Sequence, residues 1–438
     1  MNELLQSKTS SVRQSFSSRS KQKAVYRFLS NDNVTEEELI ASCTERTSLL
    51  SEGKHVLVLN DTTEINVQNN LGRLEVGSGV GLVGNNRDLG FFAHLGLAID
   101  SQTGQALGYS SMKLWHRSLD KGTKESRDYK YLPVEEKESY KWIKCASDSK
   151  TILSAASSIT LVGDRESDMY ELFTDATNQG LHLVVRNRIN RKTEEGEKLH
   201  EQLTAAPIAG HHLIEVKGDI RKQAKNSTTS LAVKYKEVTL LKPKRKNDQR
   251  TKNIKIWAVE VKEDGKKDGI CWRILTTHEI TNFADAVQII EWYRMRWYIE
   301  EVFRLLKNKG YKIEDSQIET GWALRKLTIL LLHNILRVMQ MLVAYNNPEE
   351  QGATLTFTED ELICLDKAGR REEGKTEKLK NKYPKGTLKW ATWIIARLGG
   401  WSGYESQRPP GPITLKNGLD KFNCIYDGWM LAKDVGTQ

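Results

Sequence analysis

Two short apolar runs, each delivering an aspartate, constrain this chain more than any other feature. Val56 to Leu59 lies in HVLVLND and leads to Asp61; the second run lies in SSITLVGD (157–164) and leads to Asp164. Such runs read as buried strands, each expected to end at its aspartate, where side chains at strand ends project into a crevice. FFAHLGLAID (91–100) and ALGYSSMKLWH (106–116) add two strands around an SQTG turn. Helical spacing around Glu135–Ala146, a short helix (168–177) and the strand LHLVVRNR (181–188) continue the pattern. Hairpin-ordered strands followed by strand–helix units predict an α/β fold, a mixed sheet covered by helices.

The flanking segments differ in character. Residues 1–50 are basic and helical in pattern, with Arg13, Arg19, Lys21, Lys23 and Arg27, and Thr35 with Glu38 forms a capping-box signature. From about 190 to 265 the chain reads as an inserted β-rich subdomain, with patches such as SLAVKYKEVTLL. Between Lys234 and Lys255 it carries nine Lys/Arg against Glu237 and Asp248. CWRILTT (271–277) resumes the sheet, and one long helix is expected over about 281–308. Lys367 to Lys385 reads as a charged linker to a helical unit around TLKWATWIIARLGGW. This divides the chain into an N-terminal helical region (1–50), a sheet domain (51–366) and a C-terminal helical region (367–438).

A chain of 438 residues can bury a full core in more than one domain. Its net charge of +9 favours an anionic partner, nucleic acid first. The five cysteines are scattered without a CxxC pair, which speaks against a disulfide framework or a structural zinc site and fits a reducing cytosol. Leu327 to Ala344 is strongly apolar but contains His333, Asn334, Arg337 and Gln340. It reads as a buried helix, so no membrane partner is expected.

Tyr293, Arg296, Glu300 and Lys307 follow the spacing Y-x2-R-x3-E-x6-K. On a continuous helix, at about 100° per residue, they fall within about 60° of one another, and Arg304 joins the stripe. A carboxylate among cations and a phenol suits a metal ion held beside a phosphate backbone. Asp61 and Asp164 supply further hard oxygen ligands of the kind Mg²⁺ prefers, and paired ions of that kind serve phosphodiester displacement. Any one of these acids alone is more simply a cap or a surface ion pair; Asp168 with Glu171 looks like a capping pair, and Glu300 or Glu301 could pair with Arg304. His55, His94 and His116 show no metal spacing and read as structural.

As a set, LNDTTEINV, VGDRESDMYE and WYRMRWYIEEVFRLLK resemble the catalytic blocks of bacterial DDE transposases of the insertion-sequence-four family, marked by the YREK helix, and in pattern those of the Tn-five type. AVYRFLSNDNVT and WATWIIARLGGW carry the likeness towards both ends. The resemblance implies a ribonuclease-H-like catalytic core with a β-rich insertion between Asp164 and Glu300. It implies cut-and-paste transposition: Mg²⁺-dependent strand cleavage (Mn²⁺ substituting), hairpin formation and strand transfer. Asp61, Asp164 and Glu300 take the metal-binding, catalytic roles. Tyr293, Arg296 and Lys307 take the roles of contacting DNA phosphates, and Arg186, Arg188 and Arg304 join as further DNA contacts. Trp272, 21 positions before Tyr293, stands where hairpin-forming members stack a tryptophan on an extruded base.

The implied partners are double-stranded DNA, as terminal inverted repeats and as target, and a second copy of the chain in a synaptic complex. Trp390, Trp393, Ile394 and Leu398 are candidates for the dimer interface, or equally for an ordinary helical core. A bacterial, nucleoid-associated cytoplasmic protein is expected. The segment before Ala24 is shorter than the family carries, so the N-terminal DNA-binding region is expected to be shortened. The alternative expectation is a shortened transposase acting as a non-catalytic inhibitor.

Overall fold

A strand buried on both faces needs a neighbour on each edge, and the strands of this chain find those neighbours in one large sheet. The computed structural model describes residues 19–435 except 71, 76, 120–128, 130, 217–226, 244–252, 267–268, 308 and 405–407. The strands are β1 (His55–Asn66), β2 (Gly81–Leu82), β3 (Leu89–Asp100), β4 (Ala106–Trp115), β5 (Ser158–Gly163) and β6 (His182–Arg186). They continue with β7 (Gly210–Val216), β8 (Ser227–Leu240), β9 (Ile254–Glu263) and β10 (Cys271–Thr276). The order is β2-β3-β1-β5-β6-β10-β9-β8-β7, with β4 on the outer side of β3.

Within it, β1, β3 and β4 form antiparallel pairs, while β5 and β6 run parallel to β1. This β4-β3-β1-β5-β6 arrangement is ribonuclease-H-like. The helices α1 (Arg19–Leu29), α2 (Glu36–Leu50), α3 (Tyr140–Ile152) and α4 (Tyr170–Asn178) flank it in chain order. The connection from β4 to β5 runs through α3, and that from β5 to β6 through α4, as parallel pairing requires a crossover.

β1 departs from expectation: it does not end at Asp61 but continues to Asn66, because β3 pairs with it along its full length (Asn66↔Gly90). The parallel pairing of β1 with β5 does stop, at Leu59↔Val162. The sheet therefore splits there on one side of β1 only.

The lysine-rich segment is not a separate body. After α5 (Leu199–Ala205), β7, β8 and β9 form an antiparallel meander that joins the same sheet through β10. Of its basic run, residues 244–252 lie outside the described residues, as does Arg13 near the N-terminus.

The two faces of the sheet carry different helices. Val56, Val58, Leu161 and Leu183 pack under α3 and α4. Leu57, Leu59, Val162 and Val184 belong to the other core, with α6 (Phe283–Met295), α7 (Trp297–Leu306) and α8 (Gly321–Asn346). Among the described residues α8 alone is long and apolar enough to cross a membrane, but 83% of its apolar window is buried inside the protein. The expected Thr35–Glu38 capping box forms at α2.

Toward the C-terminus come α9 (Glu359–Glu372), α10 (Leu388–Leu398) and α11 (Pro412–Val435). The expected linker from Lys367 thus begins inside α9. A Thr358–Glu361 capping box starts that helix, and Cys364, Leu365 and Ala368 bury its apolar face. Trp390, Trp393, Ile394 and Leu398 are all buried in the chain's own core, packed with α8 and α11, so they do not form an outward-facing interface.

Candidate active site

The site grows out of the seam where β1 and β5 part. Residues alternate faces along a strand, so Asp61 shares the face of Leu59, and Asp164 that of Val162. Each aspartate stands two residues beyond Leu59 and Val162, the last positions at which β1 and β5 pair with one another. Asp61 thereby reaches Arg296 before α7, and Asp164 is near enough for its charge to act on both. Asp61 is additionally fixed by the Thr62 backbone N–H, which donates to Oδ1 at 2.7 Å.

Asp164 opens a tight turn, Arg165–Ser167, accepting from Glu166 N at 2.8 Å on Oδ1 and from Ser167 Oγ at 2.7 Å on its carbonyl. That turn folds back so closely that a Cβ on Gly163 would come within 2.8 Å of Ser167 Cβ. Only glycine leaves room for it. The expected Asp168–Glu171 cap is absent, since α4 has Met169 at its N-cap without a side-chain bond. Asp168 is instead fully buried, accepting from Asn187 Nδ2 at 3.1 Å, Arg188 N at 2.7 Å and Ile189 N at 3.0 Å, and pairing with Arg191. Four donors outbid a cap.

The expected single helix over 281–308 is two. α6 ends at Met295, Arg296 lies in the break, and Lys307 lies beyond the end of α7. The cause is readable in the apolar pattern. Ala286, Ile289, Ile290 and Tyr293 are buried on α6, and Ile299, Val302, Phe303 and Leu306 on α7. On one continuous helix these two sets would point on the order of 150° apart. Breaking the helix lets both stripes reach the core.

The break delivers Arg296 into the crevice. Its Nη1 donates to Asp61 Oδ2 at 2.9 Å, and its Nη2 donates to Glu300 Oε1. The side chains are 19% exposed for Asp61, 16% for Arg296 and 35% for Glu300, so the cluster is half-shielded from water. Burial, then the charges of Asp164 and Glu300, push the Asp61 carboxyl up to about 6, against the lowering by Arg296 and the Thr62 N–H. Among the described residues no three His, Cys, Asp or Glu side chains are arranged to hold a metal ion.

An open cavity of about 640 Å³ adjoins the cluster, lined by Arg186, Trp272, Tyr293, Arg296, Trp297 and Glu300 among others. Trp272 and Tyr293 meet edge to face with centroids 5.8 Å apart. Of the expected stripe, Tyr293, Arg296 and Glu300 share this wall. Lys307 instead pairs with Glu314 at 3.2 Å, and Glu314 also accepts from Asn66 N at the end of β1. Arg304 is turned to Glu301, at 2.9 and 3.0 Å, while Glu300 pairs with Arg296. Arg188 is exposed beside the Asp168 hub, outside this wall.

Trp297 was missed by sequence reasoning: the residue is 54% exposed and lines the cavity. Its signal was its place at the phase slip between two apolar stripes, where a bulky side chain has no core to enter. Of the histidines read as structural, His55 bonds Thr160 Oγ1 at 2.8 Å and His94 Nδ1 bonds Thr62 Oγ1 at 2.9 Å, while His94 Nε2 and His116 Nδ1 are buried without a hydrogen-bond partner.

Residues 146–337 match the family described as Transposase DDE domain. The matched span contains Asp164, Trp272, Tyr293, Arg296, Glu300 and Lys307, and Asp61 precedes it. The chain is also similar to a solved protein, the piggyBac transposase in a synaptic complex with hairpin DNA determined by cryo-EM. The two are 10% identical, with a TM-score of 0.33 over 67% of this chain and 48% of that one. The chain thus spans about half the length of that transposase.

Proposed function

We propose that this chain is a cut-and-paste DNA transposase of the insertion-sequence-four family, acting on the terminal inverted repeats of its element and on target DNA. One observation carries the reading: Asp61 and Glu300, far apart in sequence, meet on Arg296 with Asp164 close enough for its charge to act on Asp61, in a chain whose residues 146–337 match a transposase DDE domain.

As hard oxygen donors the three carboxylates suit a divalent cation in chemistry. In this structure Arg296 lies between Asp61 and Glu300, and among the described residues no three acids are gathered around one point. The three stand close enough, in a half-shielded crevice, that Asp164 and Glu300 both oppose ionisation of Asp61. A cation relieves that mutual repulsion, and oxygen ligands suit Mg²⁺, with Mn²⁺ as substitute. Bound by these residues, it would activate the attacking oxygen and stabilise the leaving one.

The other residues orient DNA. Arg296 and Arg186 offer guanidinium groups to phosphates from the cavity wall that Tyr293 also lines, with Lys307, Arg304 and Arg188 as outer contacts. Hydrolysis at the transposon end leaves a 3′-hydroxyl. That hydroxyl attacks the opposite strand to form a hairpin; water opens the hairpin, and the freed 3′-end joins target DNA. A hairpin strains its terminal stack, and Trp272 receives the extruded base, with Trp297 offering a second face. In this reading residues 1–50 bind DNA, 367–438 dimerise, and two protomers hold two ends beside the nucleoid.

The test is a cleavage assay with the full chain, Mg²⁺ and duplexes bearing the element's terminal repeats. Nicked, hairpin and joined products are expected, all lost in Asp164→Ala. Undiminished nicking by Asp164→Ala would refute the reading. Binding of the repeats by the wild type without any nicking would assign the inhibitor role instead.

A further inference from the structure

Arg296 stands between two carboxylates and an open cavity, and its one positive charge serves whichever anions it is drawn to. Its guanidinium already donates to Asp61 at 2.9 Å and to Glu300, so two of the carboxylates assigned above to a divalent cation are neutralised by a tethered monovalent one. The same residue lines the open cavity with Trp272 and Arg186, where a phosphodiester entering the site would meet it. A guanidinium is a rigid planar fork with a fixed number of N–H donors. Asp61 and Glu300 each take one of its five N–H donors; three remain, but while the fork lies between the two carboxylates its charge is offset by them and holds a phosphate only weakly.

The backbone favours exchange between the two. Arg296 lies in the break between α6 and α7, bonded to its neighbours in i,i+3 fashion (Arg296 N to Tyr293 O, and Ile299 N to Arg296 O, both 3.1 Å). Its side chain can swing without unwinding either helix. The acids, for their part, lose nothing by release if a stronger cation replaces the guanidinium.

We propose that Arg296 is an interlock: a built-in counter-ion that holds Asp61 and Glu300 until a DNA phosphate draws it away, so that the divalent cation is taken up once DNA is in place. The inference rests on the metal-dependent reading of the site. It adds an order of assembly: DNA first, cation second. Linkage then requires reciprocity, so that DNA tightens cation binding and the cation tightens DNA binding by the same factor.

The test uses the full chain with Mn²⁺ alone as probe, free and bound Mn²⁺ being counted by electron paramagnetic resonance with and without a short DNA duplex. Without DNA, Arg296→Gln is expected to bind Mn²⁺ about tenfold more tightly than wild type. Adding the duplex should tighten Mn²⁺ binding to wild type by a similar factor and leave Arg296→Gln little changed. The wild-type arm needs no variant and so stands even if Arg296→Gln fails to fold. Equal or weaker binding by folded Arg296→Gln, or no effect of DNA on wild type, overturns the interlock. Asp164→Ala separates the two ideas. If wild type binds Mn²⁺ in an Asp164-dependent way but shows neither effect, the interlock alone falls; if no protein binds Mn²⁺ with or without DNA, the metal-dependent reading falls with it.

Discussion

Arg296 donates to Asp61 at 2.9 Å across 235 positions of sequence, joining the break between α6 and α7 to strand β1. Neither partner is placed by its own neighbours alone. Asp61 is aimed by strand alternation, and Arg296 by the phase slip that ends α6. Their meeting locates the crevice more sharply than either sequence block does.

The aromatic wall yields a step-specific expectation. Trp272 is half-buried and touches Tyr293 edge to face, so removing its ring leaves the sheet largely intact. Trp272→Ala should lose about 1–3 kcal/mol of base stacking, slowing hairpin formation tenfold or more while first-strand nicking changes little. Gel resolution of nicked and hairpin products measures both; equal loss of the two steps would contradict the assignment.

Gly163 is a second point of leverage. A Cβ there would press on Ser167, whose Oγ holds the Asp164 turn. Gly163→Ala should cost about 1–3 kcal/mol of stability through overpacking and displace Asp164 as well. Pairing it with Ser167→Gly, which removes both the Oγ and the Cβ in the way, should restore part of the loss, and a double-mutant cycle by urea denaturation checks the coupling. Strict additivity would mean that the close approach is not the cause.

The Asp168 hub makes a larger prediction. Its side chain is 0% exposed and answers Arg191, Asn187 and two backbone N–H groups. Asp168→Ala leaves a mostly buried guanidinium without its carboxylate, holding only the Asp168 carbonyl at 2.7 Å, so a loss of about 3–5 kcal/mol is expected. Thermal unfolding of the variant reads it directly; a shift within a few tenths of a kcal/mol would show that Arg191 finds water instead.

Acid should weaken the far end of the same sheet. His278 bonds Thr160 Oγ1 at 2.7 Å, and its ring stacks on His182 with centroids 4.1 Å apart. Burial, then the neighbouring imidazoles of His182 and His55, push His278 down to about 3. With its folded pKa below the unfolded value, the unfolded chain binds the proton first as pH falls. Stability is therefore fully present above about 6.5 and declines toward about 3, by on the order of 1 kcal/mol per pH unit. Chemical denaturation across that range should show a shallower slope in His278→Gln; an unchanged slope would place the acid sensitivity elsewhere.

Much of the sheet was legible because its signals are local. Buried runs such as Val56 to Leu59 and the Thr35–Glu38 cap depend on adjacent residues, and both formed as read. Element ends were less legible. β1 ran past Asp61 because its partner β3 continued, and the lysine-rich strands joined the core sheet because β10 offered an open edge. Lys307 left the expected stripe for Glu314, a partner that helix geometry cannot foresee. Trp390 and Trp393 were open to two readings, and burial chose the core.

By itself the sequence determined the alternation that turns Asp61 and Asp164 to one face, and the apolar phase slip that must break a helix at Arg296. Those are short-range consequences of strand and helix periodicity. Only the tertiary structure decided that the break would lie over the seam between β1 and β5, where Arg296 spans Asp61 and Glu300. That outcome depends on which apolar faces pack together, and charges brought close by packing choose their partners only after the core has formed.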